Sequence, residues 1–173
     1  MEEVIVVEYS TSWAHEYEIE RMKLEEALLD LSIQIEHIGS TAINGLGAKP
    51  VIDIMVGITE LSVVKESHKE RLLQIGYEYV PKPEFPDRLF FRRGKWRAGT
   101  HHLHMYPLGS TAWSNQLLFR NYLREHSQEA QQYYKLKKQL EQCHKYNRAA
   151  YTRGKDSYIK QILLKAAASK KVI

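Results

Sequence analysis

The sequence predicts an α+β fold, in which a small mixed β-sheet is flanked by helices and further helices follow. Three observations predict this class. Short Val- and Ile-rich runs alternate with helical patterns in the first 76 residues. Further strand-like runs continue to residue 107, and from Thr111 the sequence becomes polar-rich and helical. A chain of 173 residues suits one domain with a buried core, so we predict a single domain over 1–173 with a helical C-terminal part over about 111–173.

The first half of the chain supplies three predicted strands and two predicted helices. The strands are predicted at 4–10, 32–38 and about 51–58. The helix after the first strand carries Trp13, Tyr17 and Leu24 at helical spacings, which indicates one buried face. The second helix is predicted from Thr59 to Gly76, because glycine often ends a helix. The third strand is apolar on both sides, which is typical of a strand in the middle of a sheet.

The second half of the chain supplies three further strands and three long helices. The strands are predicted at 77–81, 88–94 and 100–107, and the helices near 112–125, 127–146 and 156–168. Three prolines across 81–86 exclude regular structure there. The segment "GKWRAG", residues 94–99, predicts a hairpin turn between the last two strands.

The composition excludes several classes of protein. No run of about 18 apolar residues exists, so the sequence predicts no transmembrane helix and no membrane contact. The first ten residues lack the basic and apolar regions of a secretory signal. A single cysteine, Cys143, excludes an intramolecular disulfide and a cysteine-cluster metal site. We therefore predict a cytoplasmic protein.

The charges are distributed unevenly along the chain. Residues 1–60 carry twelve Asp/Glu against three Lys/Arg, and residues 61–173 carry nine against twenty-two, so the halves have net charges of about −9 and +13. The halves either attract each other or solvate separate faces, or the second half forms a basic wall for a phosphate-bearing ligand. The basic residues are spread over several segments, which disfavours a nucleic-acid partner. We predict a small-molecule partner, a nucleotide or a phosphate ester.

A glycine-rich loop is the first candidate site. In "HIGSTAINGLGAKP", three glycines and two small hydroxyl side chains lie between two predicted strands. Successive backbone N–H groups in such a loop can hold a phosphate. The Walker A and dinucleotide fingerprints are both absent, so a purely structural turn is the alternative. The predicted phosphate-binding residues here are Gly39, Ser40, Thr41 and Lys49.

Asp53 is a lone carboxylate in an apolar strand. Alternation places it on one face with Val51 and Met55, while Ile52 and Ile54 lie on the opposite, core-facing side. A charge buried without a partner is strongly unfavourable, so the face with Asp53 has to open to solvent near this residue. The carboxylate then serves as a ligand of a divalent cation. The alternative is that it pairs inside the core with an arginine, a histidine or backbone donors.

The segment "HHLHMYP" is the second candidate site. Alternation places His102 and His104 on one face of a strand, where they can bind one transition-metal ion or a phosphate. Two histidines that simply hydrogen-bond beside a sheet are the alternative. Arg92, Arg93 and Arg97 on the preceding hairpin are candidate phosphate contacts, or else residues of a solvated edge strand.

The C-terminal segment contains a weaker candidate. In "YTRGKDSYIKQIL", a turn precedes a helix, and Tyr151, Lys155 and Lys160 are placed where they can close over a ligand. Surface lysines without any functional role are the alternative.

These segments together resemble a known family. The stretches "HIGSTAINGLGAKPVIDIMV", "HHLHMYP" and "Y…GKDSYIKQIL" are similar to the GrpB (UPF0157) family, and the resemblance covers nearly the whole chain. That family resembles the nucleotidyltransferase superfamily, which implies a nucleotidyltransferase-like fold. The resemblance implies that a Gly-Ser turn holds nucleotide phosphates and that two acids one residue apart, with a third on a later strand, hold Mg²⁺.

The resemblance transfers to this sequence only in part. Gly39 and Ser40 match the turn, and Asp53 matches the first acid. Met55 stands where the second acid would be, and the later strand offers His102 and His104 instead of a third acid. A thioether is a poor ligand for Mg²⁺, and mixed Asp/His ligation favours Mn²⁺, Zn²⁺ or Fe²⁺.

The sequence therefore predicts a nucleotidyltransferase-like protein that binds a nucleotide or a phosphate ester. The predicted chemistry is metal-dependent phosphoryl or nucleotidyl transfer, with Asp53, His102 and His104 as catalytic and metal-binding residues and with Mg²⁺, Mn²⁺ or Zn²⁺ as the cofactor. A non-catalytic nucleotide- or phosphate-binding module is the alternative. The sequence leaves the substrate, the acceptor and the oligomeric state open.

Overall fold

A mixed five-stranded sheet organises the computed structural model, which describes residues 3–95 and 98–170. Along the chain the elements are α1 (Ser12–Ala27), β1 (Gln34–Ile38), β2 (Ile52–Ile58), α2 (Glu66–Gln74), β3 (Tyr77–Tyr79), β4 (Leu89–Lys95), β5 (Ala98–Pro107), α3 (Thr111–Glu125), α4 (Ser127–Cys143), α5 (Arg148–Gly154) and α6 (Asp156–Lys170). This arrangement confirms the predicted α+β class, with a mixed sheet and helices after residue 111.

The strand order places the two candidate strands next to each other. The sheet runs β1-β2-β5-β4-β3, with β2 and β5 parallel and every other neighbouring pair antiparallel. In this register Asp53 lies opposite His102, and Met55 lies opposite His104. Residues opposite each other in a sheet have their side chains on the same face. The sheet thus brings together side chains that are about fifty residues apart in the sequence.

One face of the sheet forms the main core. Ile52 and Ile54 of β2 and Leu103 of β5 pack there against Leu24 of α1 and Leu72 of α2, and all five are fully buried. This is the face that alternation predicts as the core side of β2. Burial of large aliphatic side chains contributes roughly 1.5–3 kcal/mol each to folding.

The opposite face is covered by α3 and is open near Asp53. Met55 is fully buried there beside Ile38, Tyr106 and Trp113. The Asp53 side chain, two residues earlier on the same face, is 30% exposed. The prediction that the face with Asp53 has to open is therefore confirmed.

A second core attaches the C-terminal helices to the glycine-rich loop. Ile43 and Leu46 of the loop pack against Phe119 of α3, Tyr133 of α4 and Ile162 of α6. The loop carbonyls add polar contacts, since Arg124 donates to the Ala42 carbonyl and Lys137 to the Gly47 carbonyl. Apolar packing and these two hydrogen bonds therefore fix the loop on the C-terminal helices.

The N-terminal segment differs from its prediction. Residues 4–10 do not join the sheet as a strand and make only an isolated bridge between Val7 and Ala48. The Val4 N–H donates to the Lys145 carbonyl, and the Val6 N–H donates to the Glu141 carboxylate. The backbone N–H groups of Val4 and Val6 thus bond to the end of α4 and to the region after it, and these two side chains are buried, whereas Ile5 and Val7 are exposed.

Some helix boundaries also differ. The helix predicted over 59–76 begins only at Glu66, after a short 3-10 turn over Leu61–Val63. Val63 and Val64 precede this start, and β-branched residues have a slightly lower helix propensity. The short helix α5 was not predicted, and α4 ends at Cys143 rather than near residue 146. The hairpin turn predicted over 94–99 has its tip, residues 96–97, outside the described residues. None of the described helices is both long and apolar enough to cross a membrane.

Candidate active site

The turn after β1 lies directly against the carboxylate of Asp53. Gly39 has φ 71° and ψ −172°, a conformation that is largely restricted to glycine. A Cβ built on Gly39 would lie 2.6 Å from Asp53 Oδ2. Ser40 and Thr41 follow in a 3-10 turn, and Thr41 accepts or donates a 3.0 Å hydrogen bond with buried His37. The Gly-Ser turn and Asp53 therefore form one site.

Asp53 and two histidines form a compact cluster. His102 Nδ1 donates to Asp53 Oδ1 at 3.0 Å, and His104 Nε2 lies 3.9 Å from the same oxygen. One ligand atom from each of the three residues lies within 4.8 Å of the others. Burial alone would raise the pKa of the Asp53 carboxyl, but the two histidines outweigh it and hold the pKa well below its usual range. The carboxylate is thus ionised at neutral pH.

His104 has a second polar neighbour on its other side. Arg88 Nη1 donates to His104 Nδ1 at 3.1 Å and to Tyr106 Oη at 3.3 Å. Burial lowers the pKa of His104, and the nearby charge of Arg88 acts in the same direction. The ring of Phe90 packs beside both histidines, with centroid distances of 5.4 Å to His102 and 5.1 Å to His104. Sequence reasoning missed Arg88, which follows the proline-rich loop and lies just before β4.

Most of the predicted site residues line one cleft of about 390 Å³. They are Gly39, Ser40, Thr41, Lys49, Asp53, His102 and His104. Tyr151 and Lys155 of the weaker C-terminal candidate line the same cleft, whereas Lys160 is exposed and does not. The parallel pairing of β2 with β5 and the packing of α4 to α6 over the loop bring these residues together.

The arginines predicted as phosphate contacts are not in this cleft. Arg92 Nη2 forms a 2.8 Å ion pair with Glu78 of β3. Arg93 lies on the opposite face of β4 and pairs with the buried carboxylate of Glu20. Strand alternation explains the difference, since neighbouring residues face opposite sides. Arg97 lies outside the described residues.

A buried lysine of α4 was not predicted. Lys137 is only 2% exposed, lines the cleft and donates to the Gly47 carbonyl. Burial, and next the charge of Lys155, lower its pKa to about 7. Helical spacing could have indicated that Lys137 is buried, because it lies on the same face of α4 as the buried residues Ala130 and Tyr133. A lysine on such a face is uncommon and has to be satisfied by specific partners.

Basic side chains outnumber acidic ones in the cleft. Four cationic side chains line it, Lys49, Lys137, Arg148 and Lys155, and Asp53 is the single carboxylate among the described lining residues. Burial lowers the pKa of Lys155, while the charge of Asp53 opposes that effect. Cationic side chains that surround a concave site concentrate the field and attract anionic ligands.

A more apolar cavity adjoins the cleft. It has a volume of about 230 Å³ and shares Gly39, Ser40, Asp53, Gln116 and Lys155 with the cleft. Its remaining walls include Phe119, Tyr133, Ile159 and Leu163 from α3, α4 and α6. The site therefore has a polar, cationic lobe and an aromatic, aliphatic lobe that meet at the Gly-Ser turn.

Sequence comparisons relate the chain to a family of bacterial proteins. The family model described as GrpB protein matches residues 3–165. The chain is 37% identical over 159 residues to UPF0157 protein YqkA of Bacillus subtilis, covering 91% of this chain but 45% of that protein. It is 31% identical over 164 residues to glutamate-rich protein GrpB of Alkalihalophilus pseudofirmus, covering 93% of this chain and 94% of that protein. The chain thus spans less than half of the Bacillus relative.

Structural comparisons give the fold. The crystal structure of conserved protein GrpB from Enterococcus faecalis has a TM-score of 0.88 at 37% identity, covering 96% of this chain and 99% of that chain. The Cid1 poly(U) polymerase with Mg 3'-dATP bound has a TM-score of 0.58 at 13% identity, covering 86% of this chain and 49% of that chain. The fold is therefore similar to that of a nucleotidyltransferase, as predicted.

Proposed function

Because the chain belongs to the GrpB family, whose fold it shares with a nucleotidyltransferase, we propose that its cleft binds a nucleotide or another phosphate ester and transfers a phosphoryl or nucleotidyl group. One observation carries the proposal. A single cleft joins the Gly39–Ser40 turn, the ionised Asp53 and four cationic side chains. Phosphoryl transfer depends mainly on positioning and on stabilising negative charge, which such a cleft supplies.

The cationic lobe is the proposed phosphate site. Lys137 lines the cleft from α4, and Lys155 lines it from the turn between α5 and α6. Their lowered pKa values reflect the unfavourable burial of positive charge. A bound polyphosphate would reverse that effect, since opposite charge nearby favours the protonated lysine. The turn at Ser40 would contact the same phosphate group.

The apolar lobe is the proposed site for the organic part of the ligand. Aromatic Phe119 and Tyr133 and aliphatic Ile159 line it, which suits a nucleobase or another planar or apolar group. Ser40 and Lys155 line both lobes, so a group bound in the apolar lobe would lie next to the phosphate site. This combination supports an organic phosphate over inorganic phosphate as the ligand.

The site fits one transition-metal ion better than two magnesium ions. A two-metal Mg²⁺ site needs several carboxylates, yet the position two residues after Asp53 is Met55, which is fully buried against Tyr106 and Trp113. One oxygen and nitrogen donors within 4.8 Å suit Mn²⁺, Zn²⁺ or Fe²⁺. Asp53 and His102 would hold such an ion. When bound, it would polarise a phosphoryl oxygen and offset negative charge.

Ligand-induced thermal stabilisation tests the proposed binding. We expect pyrophosphate and nucleoside triphosphates, at about 100 times their Kd, to stabilise the fold by about 2.7 kcal/mol and raise its Tm. Lys155→Met should weaken this shift, because it removes a cation from the cleft. Lys160→Met is the matched control, since Lys160 is an exposed lysine of α6 that does not line the cleft. An equal loss in both variants, or no shift with any of these ligands, would contradict the proposal.

A non-catalytic binding module is the second candidate function. The observation that favours it is Met55, whose thioether occupies the position of a second acid. Incubation with labelled nucleoside triphosphates and Mn²⁺ separates the two candidates. Released pyrophosphate or a labelled product that disappears in Asp53→Asn supports transfer. Thermal stabilisation without any product supports the binding module.

A further inference from the structure

We infer that His104 is a fixed hydrogen-bond donor and not a cation ligand, and that Arg88 is the positioning residue that sets this role. The acceptor of that hydrogen bond is a phosphate oxygen of the ligand, and this part rests on the proposed function. The sequence assigned His102 and His104 the same role, as paired ligands of one metal ion. The structure distinguishes them by the group that each Nδ1 faces.

The tautomer of His104 follows from the chemistry of Arg88. A guanidinium has only donors and no acceptor. Because Arg88 Nη1 lies 3.1 Å from His104 Nδ1, that nitrogen has to accept the hydrogen bond with its lone pair. The ring is then neutral, and its one proton is on Nε2. A doubly protonated ring would place an N–H against the guanidinium N–H.

The Nε2–H of His104 points into the cleft. It lies 3.9 Å from Asp53 Oδ1, which is too long for a full hydrogen bond. Asp53 Oδ1 already accepts from His102 Nδ1 at 3.0 Å. His104 and Ser40 both line the cleft, so an oxygen of a phosphate bound beside Asp53 can accept from Nε2–H. A donor held in place before the ligand binds stabilises negative charge without rearranging.

The same contact opposes cation binding by His104. A nitrogen that binds a cation has to be unprotonated, so ligation by Nε2 would move the ring proton to Nδ1. The Nδ1–H and the N–H of the Arg88 guanidinium would then face each other without an acceptor. Histidines that bind metals usually donate their other N–H to a carboxylate, a carbonyl or water. At His102, a cation held by Asp53 can replace the proton between Nδ1 and the carboxylate, and the ring proton then lies on Nε2. At His104, Nδ1 faces the guanidinium of Arg88, so only His102 is suited to share a cation with Asp53.

Several contacts keep Arg88 at His104. Its guanidinium lies 4.6 Å from the centroid of the Phe85 ring and 5.9 Å from that of Phe90. A second hydrogen bond joins Nη1 to Tyr106 Oη. Arg88 Nε is buried, and no group in the described residues accepts from it. Since an unsatisfied buried N–H is unfavourable, these stacking and hydrogen-bond contacts have to compensate for it.

Nitrogen NMR of the ligand-free protein tests the tautomer directly. The protein is labelled with ¹⁵N in its histidine rings, and His104→Gln assigns the signals of His104. We expect a protonated Nε2 and an unprotonated Nδ1 in the wild type. Arg88→Met should give a mixture of both tautomers. Arg92→Met, which removes an arginine that pairs with Glu78 instead, should leave the His104 signals unchanged. A proton on Nδ1 in the wild type, or no change in Arg88→Met, would overturn the inference.

Binding measurements test the two roles separately. Calorimetry with Mn²⁺ and Zn²⁺ should show that His104→Gln keeps cation affinity within about twofold, while His102→Gln and Asp53→Asn lose about tenfold or more. Pyrophosphate affinity should fall about tenfold in His104→Leu, equivalent to about 1.4 kcal/mol, because leucine has no N–H to donate, whereas glutamine has. A cation affinity that depends on His104 would overturn the inference. If the tautomer is as expected but pyrophosphate and nucleotides do not bind, the proposed function fails and the fixed-donor role stands.

Discussion

The carboxylate of Asp53 lies so close to Gly39 that no side chain fits on the glycine. A Cβ there would approach Oδ2 to 2.6 Å and the Asp53 Cβ to 3.1 Å, and the glycine has φ 71° as well. The position of the carboxylate and the conformation of the turn are therefore coupled. Any residue other than glycine has to displace one of the two.

Gly39→Ala tests this coupling. We expect it to lower the free energy of unfolding by about 1–3 kcal/mol, measured in urea, because it adds backbone strain and a clash with a neighbouring residue. It should also remove the pyrophosphate-induced rise in Tm. Gly45→Ala is the matched control, since Gly45 has φ 75° but nothing within 4 Å of its would-be Cβ. Equal losses of pyrophosphate binding in both variants would show that the contact with Asp53 does not matter.

Replacing Met55 by an acid should not restore a two-metal site. Met55 is fully buried among Ile38, Tyr106 and Trp113, so Met55→Asp places a charge in an apolar environment. We expect a loss of several kcal/mol in the free energy of unfolding, and no gain in Mg²⁺ affinity by calorimetry. Met55→Leu is the size-matched control and should change the stability by less than about 1.5 kcal/mol. A folded Met55→Asp protein that binds Mg²⁺ tightly would disprove this.

Lys137 should make the stability depend on pH. Its pKa is lowered to about 7 in the fold from a usual value of 10.5. Between these values the unfolded chain binds more protons than the folded one, so the free energy of unfolding rises as the pH increases through that window. Below pH 7 both states carry the proton, and the unfavourable contribution stays constant. Each unit of pKa difference corresponds to about 1.4 kcal/mol.

Urea unfolding at several pH values between 7 and 10 measures this effect. Lys137→Met should show a smaller rise in stability over that range than the wild type. Lys135→Met serves as the control, because Lys135 is exposed on the same helix, and its curve should run parallel to that of the wild type. Identical slopes for the wild type and Lys137→Met would contradict the prediction.

Arg93 should matter for folding and not for ligand binding. It pairs with Glu20, a carboxylate only 3% exposed that also accepts from Tyr77 Oη at 3.0 Å. Removing the arginine leaves that carboxylate less well satisfied, so Arg93→Met should lower the free energy of unfolding by about 1–3 kcal/mol. The pyrophosphate affinity should stay the same. A reduced affinity in calorimetry at unchanged stability would restore the role that the sequence first suggested.

The class of fold and much of the site could be predicted from residue type and spacing. Strand alternation placed Asp53 and Met55 on one face of β2, and His102 and His104 on one face of β5, since side chains in a strand alternate with a period of two. The Gly-Ser turn and the family resemblance indicated where a phosphate site lies. These features are local, so they can be recognised from residue type and spacing alone.

The contacts between distant residues follow from the packing of the elements and could not be predicted. The parallel pairing of β2 with β5 brings His102 beside Asp53, and the packing of α4 brings Lys137 into the cleft. The contact of Arg88 with His104 depends on the path of a proline-rich loop that no periodicity describes. The N-terminal Val-rich run has strand-like residues, yet its hydrogen-bond partners come from distant segments. Contacts between residues that are far apart in the sequence depend on how the helices and strands pack. Local residue spacing carries no information about them.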